Sequence, residues 1–98
     1  MSYADLVTKD MRLTILRVLS QDPDYSHNEF VLQRILPRFG HEVSGDRLRS
    51  ELSWLAEQGL VSTSATDEVW VAKLTRRGAD VAAGRAIVPG VQRPEPME

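Results

Sequence analysis

The chain has 98 residues, of which 42% are hydrophobic and 27% charged, with no cysteine and a formal net charge of −2. That describes one globular domain with a single small core, and it excludes a disulfide framework, a thiol nucleophile and a cysteine metal site. No run approaches the ~18 apolar residues of a membrane span, and the N-terminus lacks the basic start and apolar middle of a signal peptide, so the expected location is the cytoplasm. The pI of about 5.7 weighs against nucleic acid, whose phosphates select basic surfaces. Basic and acidic residues number three and five in 1–32, four and four in 33–66, and five and five in 67–98. Any positive patch must therefore be assembled by the fold.

Residues 3–21 read as a first helix, capped by Ser2 with Asp5 three positions on, and closed by Asp22-Pro23 because proline cannot continue the ladder. Its apolar residues form two stripes. Leu6, Leu13, Leu16 and Leu19 mark one; Val7, Met11, Ile15 and Val18 mark the other. A surface helix needs only one buried face, so either the domain covers this helix on both sides or the second stripe meets a symmetric copy. Next, Ser26 and Glu29 have the spacing of a capping box, with Tyr25 and Phe30 at the staple positions. They start a second helix through Val31, Leu32, Ile35 and Leu36, distorted or stopped at Pro37. Phe39 is expected to pack back on the core, and Gly40 to turn the chain.

The third helix, 44–59, has the strongest pattern. Leu48, Leu52, Leu55 and Ala56 form its inner stripe, Ser44 its N-cap, and Gly59 its left-handed stop, with Val43 and Leu48 placed as a staple. The opposite face carries Asp46, Ser50, Ser53 and Glu57, flanked by Arg47, Arg49 and Trp54. A hairpin follows over 60–74 with its tip at Thr66-Asp67-Glu68 and Trp70, Ala72 and Leu74 facing inward. Thr75 caps a last helix that Gly84 stops. The expected division is a domain over 1–84 and a flexible tail over 85–98.

A capped helix pair running into a hairpin predicts a mostly α, α+β winged helix-turn-helix, in the order three helices, two strands, one helix. The residues Leu52-Ser-Trp-Leu55-Ala-Glu-Gln-Gly59-Leu-Val61 and Leu74-Thr-Arg-Arg-Gly78 resemble the helix-to-wing passage and the following turn of the ArsR, MarR and PadR regulators. The size and the Ser-Tyr-Ala-Asp opening also resemble small Mu-like prophage proteins. The resemblance covers about residues 5–84 and implies a cytoplasmic, phage-type transcriptional regulator that binds double-stranded DNA as a homodimer.

On that reading the third helix enters the major groove with Arg47, Arg49, Ser50 and Ser53, while Lys73, Arg76 and Arg77 grip phosphate beside the wing. Val7, Met11, Ile15 and Val18 would form the dimer interface. The plainer alternative is a solvated helix face with Arg47 and Glu51 paired at i,i+4 spacing. The acidic pI and the acidic tip at Asp67 and Glu68 suit the competing function, a winged-helix protein-interaction module that touches no nucleic acid. His27 and His41 are too few and too far apart in sequence to suggest a metal site. No glycine-flanked nucleophile or spaced acid pair suggests catalysis, so no enzyme, metal or cofactor is expected.

Overall fold

Helix α1 spans Tyr3–Gln21 in the computed structural model, which describes residues 2–96. Its first turn is closed by a capping box: the Ser2 hydroxyl accepts from the Asp5 amide, and the Asp5 carboxylate accepts from the Ser2 amide. Apart from Leu6, which is 48% exposed, both apolar stripes are turned toward the chain's own interior. Met11, Leu13, Ile15, Leu16, Val18 and Leu19 are all buried, against elements that come later in the chain. The expected dimer interface therefore needs correction: Met11, Ile15 and Val18 lie inside the chain's own core, and Val7 is half-buried. Central burial, the other option for a two-striped helix, is the one observed.

The second correction falls on residues 25–30. Ser26–Asn28 form a short strand, β1, and helix α2 (Glu29–Ile35) starts at Asn28, whose side chain accepts from the Val31 amide. Ser26 and Glu29 make no capping box, and the expected staple is absent, since Tyr25 and Phe30 are both exposed. Strand pairing claims this segment, because Ser26 and Asn28 lie opposite Lys73 and Val71. After α2 a 3₁₀ turn, Leu36–Phe39, accommodates Pro37 in its first turn. Phe39 does not pack back; it remains 52% exposed.

Helix α3 (Gly45–Glu57) follows a short turn, with Ser44 accepting from the Arg47 amide as its N-cap. Leu48, Leu52 and Leu55 are fully buried. At its end Gly59 takes φ 75°, the Gly59 amide bonds the Ala56 carbonyl, and the Leu60 amide bonds the Leu55 carbonyl. These are the two bonds of a Schellman stop, whose left-handed residue favours glycine. The chain then forms the hairpin β2 (Val61–Thr66) and β3 (Val69–Leu74), turned by Asp67 and Glu68, both at positive φ. The sheet order is β1-β3-β2, antiparallel throughout. Ala72 and Leu74 are buried and Trp70 is half-buried, so the inward face is the expected one. Helix α4 (Arg76–Ala82) completes a winged helix-turn-helix.

Thr75 joins three of these elements. Its amide bonds the Leu60 carbonyl, its hydroxyl donates to the Gly59 carbonyl, and the same oxygen caps α4 by accepting from the Gly78 amide. Gly78 sits so close that a Cβ would overlap the Leu60 carbonyl oxygen and approach the Leu74 side chain to 2.7 Å. The Leu-Thr-x-x-Gly sequence is thus the joint between the wing and the end of α3.

The expected boundary at residue 84 is not a packing boundary. Val88 and Val91 are buried, and the Gln92 amide bonds the Lys9 carbonyl on α1. The three prolines and Gly90 shape this strap without detaching it from the core; the final part of the expected tail, 97–98, lies outside the described residues. Gly78→Ala is expected to destabilise the fold by about 2 kcal/mol through overpacking against backbone, lowering the melting temperature by roughly 10 °C in a circular dichroism melt. An unchanged melting temperature would show that the joint yields freely.

Candidate nucleic-acid interface

In a winged helix the surface available for a groove is the outer side of α3 together with the wing. Asp46, Ser50 and Glu57 are exposed there and Ser53 is half-buried, so the centre of the face holds two carboxylates and two hydroxyls. Its arginines stand on the two flanks, and each is bound to a buried carboxylate.

On the wing side, Arg49 grips Glu29 bidentately, with Nε to Oε1 at 2.7 Å and Nη2 to Oε2 at 2.8 Å. Glu29 is only 4% exposed, and its Oε2 also accepts the Trp70 amide at 2.7 Å, just past the end of β1. Arg49 Nη2 reaches the Glu68 carbonyl at the wing tip at 3.0 Å, and the guanidinium lies 4.9 Å from the Trp70 ring centroid. One arginine therefore ties α2, α3 and the β3 side of the wing together. The Arg49 hydrogen bonds hold the Glu29 carboxyl below its ordinary value; burial opposes this, and the Trp70 amide adds to it. Glu29 reciprocally raises Arg49.

On the far flank, the buried Glu51 takes Arg47 Nε at 2.8 Å and Arg12 Nε at 2.7 Å on its two oxygens. The i,i+4 pair expected as the plain alternative is thus present. Arg47 also donates to Thr8 at 2.8 Å. Arg12 lies 3.8 Å from the centroid of Trp54 and donates to the Gly90 carbonyl at 3.0 Å, so Trp54 fills the seam between α1, α3 and the strap.

Arg47 and Arg49 remain 44% and 40% exposed at the side chain. Each keeps Nη1 free of hydrogen bonds among the described residues. They stand as half-exposed rims of the face rather than as extended readers. Lys73, Arg76 and Arg77 are exposed at the wing base, and none forms an ion pair among the described residues. Lys73 sits in register between Ser26 and Ser62. The structure thus separates the proposed contacts into an α3 group already bound to carboxylates and a wing-base group that is not.

Glu29, Glu51 and Arg12 were the structural partners missed or underweighted in the pattern. Arg12 carried a signal, a cation between the apolar Met11 and Leu13. Glu29 carried a misleading one, since its spacing from Ser26 matched a cap. The two histidines go separate ways: His41 Nε2 lies 2.7 Å from Asp10, and His27 Nε2 lies 3.9 Å from Asp22.

Because the folded-state pKa of Glu29 is depressed from 4.5, the unfolded chain binds more protons between the two values. Its stabilisation is complete above about pH 4.5 and is lost as pH falls through the folded value. Glu29→Gln is expected to lower stability at pH 7 by about 2 kcal/mol and to flatten the decline below pH 4.5. Urea melts from pH 3 to 7 would show this; parallel wild-type and variant curves would refute the linkage.

No family model matches the chain. It is 49% identical over 92 residues to protein gp26 of Escherichia phage Mu, covering 94% of this chain and 95% of gp26. It is 44% identical over 78 residues to an uncharacterized protein of Haemophilus influenzae, covering 79% of this chain and 76% of that one. Among solved structures it is similar to H. salinarum RosR, in the complex structure of hsRosR-S1, with a TM-score of 0.67 and 26% identity, covering 81% of this chain and 70% of that one. By its length-spanning identity, the chain belongs to the family of phage Mu gp26.

Proposed function

We propose that this chain is a winged-helix DNA-binding protein, a cytoplasmic phage-type transcriptional regulator and not an enzyme, that binds duplex DNA with α3 at the major groove and the hairpin on the adjacent backbone. The observation that carries the reading is the Arg49–Glu29–Trp70 clamp, which fixes wing and helix at one angle. A rigid two-part surface is what groove docking requires. Similarity to the winged-helix regulator RosR supports it.

In this mode Lys73, Arg76 and Arg77 supply phosphate contacts, and Ser50 and Ser53 approach base edges or phosphates. Arg47 offers its remaining donors, while Arg49 acts by holding the wing. A homodimer belongs to the same reading, with half-sites about one helical turn apart. Tyr3 and Leu6 are large apolar side chains that α1 leaves exposed, near its start, to join two copies. The second reading, a protein-interaction module, is favoured by one observation: Asp46, Glu57, Asp67 and Glu68 all stand exposed on the α3 face and wing tip.

Titrating labelled genomic duplex fragments at low and physiological salt decides between them. Binding is expected to weaken steeply with salt, and the R76S/R77S variant to reduce the log–log salt slope by about 2. No binding at low salt removes the DNA reading. For the dimer, sedimentation is expected to show a twofold mass that falls in Leu6→Asp; a monomer at high concentration contradicts it.

A further inference from the structure

Away from α3 and the wing, the outer side of α2 and its 3₁₀ extension has the opposite electrostatic character. Arg34 and Arg38 are exposed there, and neither forms an ion pair among the described residues. Phe30, one helical turn before Arg34, is 54% exposed. Beside Arg38 and Phe39 the surface opens into a cleft of about 340 Å³, with Val18 and Ile35 in its lining. The one carboxylate on its rim, Asp22, is already engaged by the amides of Asp24 and Ser26.

We infer that this face is a docking surface for an acidic, amphipathic segment of another protein, whose apolar anchor fills the cleft while its carboxylates meet Arg34 and Arg38. Charge complementarity selects the occupant. Arg12, Arg47, Arg49 and Arg85 each hold a carboxylate; Arg34 and Arg38, like Arg17, Arg76 and Arg77, hold none among the described residues, but these two also stand beside exposed phenylalanines and the apolar-lined cleft. A phosphate backbone would use the charges but leave the cleft and both phenylalanines unfilled; an acidic segment with an apolar anchor uses all of them. The inference does not depend on the DNA reading, since it involves none of the residues assigned to DNA.

The probe is a fluorescein-labelled 20-residue peptide of alternating glutamate and leucine blocks with one central phenylalanine, followed by anisotropy against the full chain. Its glutamine counterpart and a duplex DNA of random sequence serve as comparison probes. The acidic peptide is expected to bind in a salt-sensitive way, and R34S/R38S and Phe39→Ser each to raise its Kd about tenfold. Arg17→Ser, an exposed arginine on α1, is expected to leave it unchanged, and circular dichroism melts check that each variant is folded. The inference is overturned if the acidic peptide fails to bind or if the glutamine peptide binds equally. It is also overturned if R34S/R38S weakens only duplex DNA binding, which would make these residues phosphate contacts, or only self-association, which would make the occupant a second copy.

Discussion

A buried carboxylate with three hydrogen bonds sets the geometry of this molecule's outer surface. Glu29 sits at the first position of α2, too enclosed for water to solvate it, so its charge must be met by protein. Arg49 from α3 and the Trp70 amide from β3 meet it. Removing any one partner leaves a charge or a donor stranded, so the three elements are held in one arrangement. The wing of a two-stranded hairpin would otherwise be the loosest part of the fold, because an isolated hairpin is marginally stable. Here its tip carbonyl is bound by the same guanidinium that neutralises Glu29.

Glu51 performs the equivalent task on the other flank. Its two oxygens hold arginines from α1 and α3, and Arg12 continues to Trp54 and the Gly90 carbonyl. Helix α3 is thus fastened by leucines beneath and by ion pairs along both edges. The consequence for function is direct. Arginines whose Nε and Nη2 groups are satisfied internally contribute orientation and a residual field, not freely extended contacts. The wing-base cations Lys73, Arg76 and Arg77, unpaired among the described residues, are the ones left with their charge uncommitted.

The distribution of charge also separates two surfaces. The α3 face and wing tip carry carboxylates around a serine centre, and the α2 face carries two arginines around exposed phenylalanine. A net charge of −2 hides this segregation. The two faces therefore differ in chemistry, one of carboxylates and hydroxyls and one of guanidinium groups and aromatic rings.

Local pattern carried much of the architecture. The caps at Ser2, Ser44 and Thr75, the stop at Gly59, the leucine row of α3 and the inward alternation of Trp70, Ala72 and Leu74 depend on neighbours within a few residues, so they were legible in the chain itself. The Leu-Thr-x-x-Gly joint was legible as a resemblance, and its physical reason is the contact of Gly78 with the Leu60 carbonyl. What only tertiary structure decided concerns partners distant in sequence. Strand β1 exists because β3, some 45 residues later, offers a free edge, and the same pairing removes the cap that Ser26 and Glu29 would otherwise form. The second stripe of α1 is covered by the chain's own later elements rather than by a copy. Arg49 meets Glu29 across 20 residues, and Arg12 meets Glu51 across 39. Periodicity reports which face of an element is apolar, but which charge reaches which carboxylate depends on how the elements are stacked, and that stacking is set by the whole core at once.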